Sequence, residues 1–128
     1  MGWKITKPNV IYAIRCTLND KVYIGRSYRF EARIREHFLE LRKGKKTEYR
    51  PGYGRVSSDF QVDYNKYGEE YFEVYVLETD VPPEKCKERE AYWIKEYNST
   101  SPQFGYNKLD ERLFVMPEVI KGTPPKVK

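Results

Sequence analysis

The chain has 128 residues, a formal net charge of +5, two cysteines and a single histidine. This length accommodates one domain with one hydrophobic core. Because Cys16 and Cys86 form no Cys-x-x-Cys pair and only one histidine is present, a structural zinc site is excluded. The first residues contain no apolar run of the kind that makes a secretion signal or a membrane span. We therefore expect a cytoplasmic protein with reduced thiols and no membrane partner. The positive charge is compatible with nucleic acid as a partner, although it is weak evidence by itself.

The first predicted elements are a β-hairpin and an amphipathic helix. Residues 10–15 and 22–24 are rich in β-branched and aromatic side chains, and the Asn-Asp pair between them favours a turn. Residues 31–43 then repeat apolar side chains at helical spacing, and Gly44 follows at the position of a C-terminal cap.

A basic loop, a short helix and a third strand are predicted next. Residues 44–57 contain proline, glycines and several cations, which is typical of a loop. Ser57 or Ser58 is the candidate cap of a short helix that ends at Gly68. Residues 71–78 alternate in polarity, with Phe72, Val74 and Val76 on one face, and predict a strand.

Residues 82–98 predict the last helix, with Pro83 near its first turn. The resulting order, β-β-α-α-β-α, predicts an α+β fold with the sheet between helices. Within this helix, Glu90 lies in the middle of the apolar stripe, four residues after Cys86 and three before Trp93. A carboxylate there costs free energy unless a cation or a hydrogen-bond donor satisfies it. A buried salt bridge and a metal ligand or acid–base group both explain its position.

Two further pairs of residues have both a structural and a functional explanation. Arg33 and His37 are one turn apart on the first predicted helix and share a face. This face is either a solvated helix edge or a cationic site for a phosphate, which arginine binds through its planar fork. Tyr12 and Tyr23 lie on the two strands of the hairpin, where tyrosine usually serves packing.

Together these residues resemble the GIY-YIG nuclease family. The tripeptides Val-Ile-Tyr at 10–12 and Tyr-Ile-Gly at 23–25 match its two signatures. Arg33 and Glu90 stand at the positions of its helical arginine and its metal-binding glutamate, and the segments "NKYG" and "GYN" match two further motifs. The resemblance covers residues 9–108 and is greatest to the catalytic domains of phage-type homing endonucleases.

The resemblance implies a three-stranded antiparallel sheet flanked by three or more helices, and metal-dependent hydrolysis of DNA phosphodiester bonds. Residues 1–108 are then the nuclease domain, and residues 109–128 a partly disordered C-terminal extension. In this hypothesis Glu90 holds one Mg²⁺ or Mn²⁺ and Arg33 contacts the scissile phosphate. Tyr12 is the general base, and Tyr23 hydrogen-bonds the phosphate or the nucleophile.

The remaining site residues are expected to assist Tyr12 or to support the site. An ordinary tyrosine has a pKa of about 10, so Tyr12 needs cationic neighbours to act as a base at neutral pH. Arg26, His37 or a lysine of the basic loop are the candidates for that charge. Gly25 and Asn107 are expected to support the site, the latter through the glutamate end.

DNA affinity is expected mainly from phosphate contacts around the end of the first helix and the basic loop. A tyrosine of this loop is also placed to stack on a base or enter a groove. A disordered loop without DNA contacts is the alternative. The candidate DNA-binding residues are Lys43, Lys45, Lys46, Tyr49, Arg50 and Arg55.

The chain departs from the family pattern at three places. Val10 replaces the first signature glycine, Arg26 directly follows the second signature, and residues 44–57 are longer than in the homing enzymes and lack a histidine found there. The separate DNA-binding domain that homing enzymes append is not evident here, so either the chain is a fragment or the protein finds DNA in another way. Both a monomer and a dimer are compatible with the sequence. A non-catalytic nucleic-acid-binding module, a protein-interaction module and a nuclease of branched DNA remain alternatives. No organic cofactor is expected.

Overall fold

A three-stranded antiparallel sheet forms the centre of the computed structural model, which describes residues 8–108. Its middle strand is β1 (Asn9–Cys16), between β2 (Val22–Ser27) and β5 (Phe72–Val81), and β3 (Thr47–Arg50) and β4 (Gly54–Ser57) form a separate hairpin. The elements in chain order are β1 (Asn9–Cys16), β2 (Val22–Ser27), α1 (Phe30–Arg42), β3 (Thr47–Arg50), β4 (Gly54–Ser57), α2 (Asp59–Tyr67), a 3₁₀ turn (Glu69–Tyr71), β5 (Phe72–Val81) and α3 (Cys86–Tyr97).

Strand β1 is buried on both faces because it is the middle strand of the sheet. Its side chains alternate between two clusters, so that Tyr12 and Ile14 face α1 and α2, while Ile11 and Ala13 face α3. Helices therefore cover both faces of an antiparallel sheet, and the predicted α+β fold is confirmed. The predicted extension at residues 109–128 lies outside the described residues.

The two helices before β5 agree closely with the sequence pattern. Helix α1 ends at Arg42, and Gly44 adopts the left-handed conformation, φ +69°, that the predicted C-terminal cap requires. Ser58 caps α2, because its side-chain oxygen accepts the backbone N–H of Gln61 at 3.2 Å. Gly68 ends that helix with φ +99°.

The predicted basic loop is instead a β-hairpin. β3 and β4 pair from Thr47↔Ser57 to Arg50↔Gly54, and the turn between them is closed by the Tyr53 N–H donating to the Arg50 carbonyl. Gly52 in the turn and Gly54 at the start of β4 both adopt the left-handed conformation, in which other residues are strained, and so allow the tight reversal. The prediction of a loop at residues 44–57 was therefore wrong.

Two other boundaries also differ from the prediction. Pro82 and Pro83 form a turn that precedes α3, since their carbonyls accept the N–H groups of Lys85 and Cys86, and the helix begins only at Cys86. On β5, Phe72 is buried, but Val74 and Val76 are exposed, and Val74 lines an open groove beside Ile34 and Leu39 of α1. No helix within residues 8–108 is long and apolar enough to cross a membrane.

Candidate active site

The two signature tyrosines lie side by side on β1 and β2, with ring centroids 6.5 Å apart. Tyr12 is paired across the strands with Gly25, and its phenol ring lies directly over that glycine. A methyl group at residue 25 would overlap Cζ and Oη of Tyr12. Gly25 therefore leaves room for the phenol of Tyr12.

His37 is the hydrogen-bond partner of Tyr12. Helix α1 directs the imidazole into the core, where it is fully buried, and its Nε2 lies 2.7 Å from Tyr12 Oη. The same ring packs edge-on against both phenols, with centroid distances of 5.8 Å to Tyr12 and 5.1 Å to Tyr23. The sequence placed His37 on the functional face of α1 but gave no indication of this contact.

His37 is neutral at physiological pH. Burial lowers its pKa to about 3, and the nearby charges of Lys46 and Arg33 act in the same direction. A neutral imidazole supplies no positive charge to a neighbouring phenol. The prediction that His37 acts as a cation beside Tyr12 was therefore wrong, because full burial disfavours the imidazolium form.

Both phenols are also neutral. Burial raises the pKa of Tyr12 well above its ordinary value. Repulsion of its phenolate form by an ionised Tyr23 and by Glu90 adds to this shift, whereas Arg33 opposes it. The pKa of Tyr23 is likewise raised by burial, with Arg33 opposing the shift and Glu90 adding to it. Cationic neighbours therefore do not bring Tyr12 to the low pKa that the sequence argument required.

Arg33 lies at the mouth of this cluster, half-exposed. Its Nη1 is 3.1 Å from an oxygen of Glu36 and 3.3 Å from an oxygen of Glu40. Because its charge acts on both phenols and on the imidazole, Arg33 shares the site with Tyr12, Tyr23 and His37. The predicted common face of Arg33 and His37 is thus confirmed.

Glu90 approaches the same cluster from α3. It is half-buried, and its charge raises the pKa of both phenols, which brings the metal-ligand candidate within electrostatic reach of Tyr12 and Tyr23. Within residues 8–108, no three histidine, cysteine or carboxylate side chains form a group that could hold a metal ion.

Arg26 is not brought to the phenols. It pairs across the strands with Ile11, whose side chain packs in the α3-facing cluster, so strand alternation directs Arg26 away from Tyr12. Its Nη1 is buried, without a hydrogen-bond partner in the part of the chain that the structure describes. The expectation that Arg26 supplies charge to Tyr12 is therefore not supported.

Asn107 supports β2 and not the glutamate end of the site. Its Oδ1 accepts the Ile24 N–H at 2.8 Å, and its Nδ2 donates to the Ile24 carbonyl at 2.9 Å. The preceding Gly105 forms a parallel bridge with Val22. The "GYN" segment thus closes the free edge of β2 beside Tyr23.

The predicted DNA-binding residues separate into two groups. Lys46 belongs to the site itself, since its side chain is only 13% exposed and its Nζ lies 3.2 Å from Glu40. The other five lie on the surface around the hairpin, where Arg50 forms ion pairs with Glu48 and Asp59. These exposed residues are Lys43, Lys45, Tyr49, Arg50 and Arg55.

Comparison with known proteins identifies the family to which this chain belongs. The sequence profile of the GIY-YIG catalytic domain matches residues 8–107, which is most of the chain. The chain therefore belongs to the GIY-YIG family of endonuclease domains, as the motif resemblance indicated.

Individual relatives agree with this assignment. The chain is 42% identical over 102 residues to intron-associated endonuclease 1 of Enterobacteria phage T4, a match that covers 78% of this chain and 36% of the relative. The chain thus spans little more than a third of that protein. It also matches the solved catalytic domain of homing endonuclease I-TevI with TM-score 0.63 and 39% identity, over 80% of this chain and 99% of that one. A point mutant of the same catalytic domain matches with TM-score 0.60 and 41% identity, over 78% and 92% of the two chains.

Proposed function

We propose that this chain is the catalytic domain of a metal-dependent endonuclease that hydrolyses phosphodiester bonds in DNA. The observation that carries the proposal is the 2.7 Å contact between Tyr12 Oη and His37 Nε2, beside a second phenol and a guanidinium group. A buried, neutral Tyr–His pair of this kind has no charge of its own at pH 7 but provides a path along which a proton can move.

Tyr12 is proposed to act as a general base through a relay. The attacking water gives a proton to Tyr12 Oη as the phenol gives its own proton to His37 Nε2, so no phenolate forms. The water oxygen bonds to phosphorus, the bond from phosphorus to the leaving sugar oxygen breaks, and that oxygen takes up a proton from solvent water. His37 then returns its extra proton to solvent through Tyr12. The relay requires the tautomer of His37 that carries its proton on Nδ1.

A bound phosphodiester would favour this transfer. The pKa of His37 is lowered first by burial and then by the charges of Lys46 and Arg33. A phosphate against these two cations offsets their repulsion of the imidazolium form. The site would then become more basic when substrate is bound, which is the state in which a base is needed.

The other side chains have supporting roles in this proposal. Arg33 stabilises the negative charge that develops on the phosphoryl oxygens, and Tyr23 donates its O–H to the phosphate or holds the nucleophile. Both remain protonated, because arginine is always charged and burial raises the pKa of Tyr23.

Glu90 is the proposed protein ligand of a divalent cation, Mg²⁺ or Mn²⁺. A hard cation of this type is commonly bound by one or two carboxylates together with substrate phosphates and water. A single half-buried carboxylate near the phenols, without a three-ligand cluster among the described residues, fits that mode. When bound, the cation would supply charge to the phosphoryl and leaving oxygens.

The hairpin is the proposed DNA-binding surface. Lys43, Lys45 and Arg55 are exposed around it and form no ion pair with another described residue. Tyr49 and, at the turn, Tyr53 are 66% and 83% exposed, which suits stacking on a base or insertion in a groove. The separate hairpin would thereby hold the duplex over the site.

The proposal is tested with supercoiled plasmid DNA, Mg²⁺ or Mn²⁺, and an EDTA control. We expect metal-dependent nicking or linearisation. Tyr12→Phe should lower the rate about 100-fold or more, the usual contribution of a general base, while duplex binding is retained. Glu90→Gln should abolish cleavage at low metal concentration.

Glu88→Gln is the matched control for the metal ligand. It makes the same chemical change at an exposed residue of the same helix and should cleave like the wild type. Binding of DNA without any cleavage would instead indicate a non-catalytic module. Unchanged cleavage by Tyr12→Phe would refute the assignment of the base.

A further inference from the structure

One carboxylate joins two cationic side chains at the mouth of the site. Glu40 Oε1 lies 3.3 Å from Arg33 Nη1, and Glu40 Oε2 lies 3.2 Å from Lys46 Nζ. Arg33 is two turns earlier on α1, whereas Lys46 lies in the connection to β3. The two oxygens and single negative charge of a carboxylate resemble the two non-bridging oxygens and single charge of a phosphodiester.

Lys46 is held in this position by the fold. Its backbone N–H donates to Gln61 Oε1 at 3.2 Å, and its carbonyl accepts the Ser58 N–H at 2.9 Å. Gln61 is fully buried and is itself fixed by donating to the Leu41 carbonyl at 2.8 Å. The ammonium group lies 5.7 Å from the centroid of the Phe60 ring. A mobile surface lysine has no such anchoring.

The position of Lys46 also connects it to the reacting groups. Its charge contributes to the low pKa of His37, and Lys46 lines a 350 Å³ cavity that borders Tyr23. Lys45, Arg55 and Lys108 line it as well, together with Glu40 and with Glu48, which pairs with Lys108 at 2.8 Å. The cations outnumber the carboxylates in this wall.

We propose that Arg33 and Lys46 form a two-cation cradle for the phosphate, and that Glu40 occupies it in the free protein as an internal counter-ion. The phosphodiester displaces Glu40, so one anion replaces another and the cations stay neutralised. Glu40 can turn away because its side chain is 39% exposed. The inference rests on the proposed function and adds Lys46 as a phosphate ligand and Glu40 as a competitor of the substrate.

The test is binding of a short DNA duplex in EDTA, where no cleavage occurs. Glu40→Gln should bind about fivefold more tightly than the wild type, the size expected for one half-exposed charge pair. Glu36→Gln is the matched control, since Glu36 also pairs with Arg33 on the same helix but does not contact Lys46. It should change affinity by less than about twofold.

A double-mutant cycle separates competition from a general loss of negative charge. Lys46→Met should weaken binding and lower the salt dependence by about one phosphate contact, whereas Lys46→Arg should stay close to the wild type. In the Lys46→Met background Glu40 still pairs with Arg33, as Glu36 does, so the gain from Glu40→Gln should fall to the size of the Glu36→Gln effect.

The inference is refuted if Glu40→Gln binds no better than Glu36→Gln, or if its gain is undiminished with Lys46→Met. If the wild type still binds and cleaves DNA in that case, the proposed function is not refuted. If the wild type neither binds nor cleaves DNA, both proposals fail. Thermal unfolding of each variant identifies any that lose affinity only through misfolding. If Lys46→Met misfolds, the affinity of Lys46→Arg, which keeps the positive charge, tests whether Lys46 binds the phosphate.

Discussion

Acidification should destabilise this protein through its one histidine. In the folded chain, burial lowers the pKa of His37 from 6.5 to about 3. As the pH falls below 6.5, the unfolded chain binds a proton at this residue and the folded chain does not, so unfolding is favoured. The stabilisation is fully present above pH 6.5 and is lost progressively between pH 6.5 and about 3.

The size of the effect follows from these pKa values. Over the whole pH range between the two pKa values, the difference between the folded and unfolded pKa of His37 corresponds to roughly 5 kcal/mol of unfolding free energy. Between pH 7 and pH 5 it amounts to about 2 kcal/mol, because the unfolded histidine is then mostly protonated and the folded one is not. This is a substantial part of the stability of a small domain.

The contribution of His37 to the unfolding free energy is measured by urea unfolding of the wild type and His37→Gln. The experiments are done at pH 7, 6 and 5 and at constant ionic strength. Between pH 7 and 5, the unfolding free energy of the wild type should fall by about 2 kcal/mol more than that of the variant. Carboxylates with lowered pKa values, such as Glu69, are common to both proteins and cancel in the comparison. Parallel pH dependence of the two proteins would refute the argument.

An independent measurement uses the histidine itself. Because the chain contains only one histidine, its imidazole signal in an NMR titration is unambiguous. It should not shift between pH 8 and 5. A midpoint near pH 6.5 would mean that His37 is accessible to solvent and would also remove the basis for a neutral relay partner.

Three further predictions follow from particular contacts. Gly25→Ala should lower the unfolding free energy by about 1–3 kcal/mol and abolish plasmid cleavage, because the added methyl group overlaps the phenol of Tyr12. Normal cleavage by this variant would show that Tyr12 need not lie over residue 25. Asn107→Ala removes both hydrogen bonds to the backbone of Ile24 and should cost about 1–3 kcal/mol in urea unfolding. An unchanged midpoint would mean that water replaces the amide at the edge of β2. Tyr53→Ser at the exposed hairpin turn should alter stability by less than about 0.5 kcal/mol but weaken duplex binding. Unaltered binding would exclude this turn from the DNA interface.

The sequence predicted the elements whose signals are local. Hydrophobic periodicity identified α1 and the strands of the central sheet. Ser57 or Ser58 marked the start of α2, of which the structure selects Ser58, and Gly68 marked its end. The β3-β4 hairpin was missed because its polar, basic strands have only four residues each and bury little apolar surface. Its signal was present in the two turn glycines, Gly52 and Gly54.

The sequence by itself determined the family, the fold and the group of Tyr12, Tyr23 and Arg33, because these depend on residue types at fixed positions along strands and one helix. Only the tertiary structure decided their charge states and partners. Burial makes His37 neutral and joins it to Tyr12, and packing against α2 brings Lys46 to Glu40. Desolvation and contacts between distant segments depend on the assembled fold, which no local pattern in the sequence encodes.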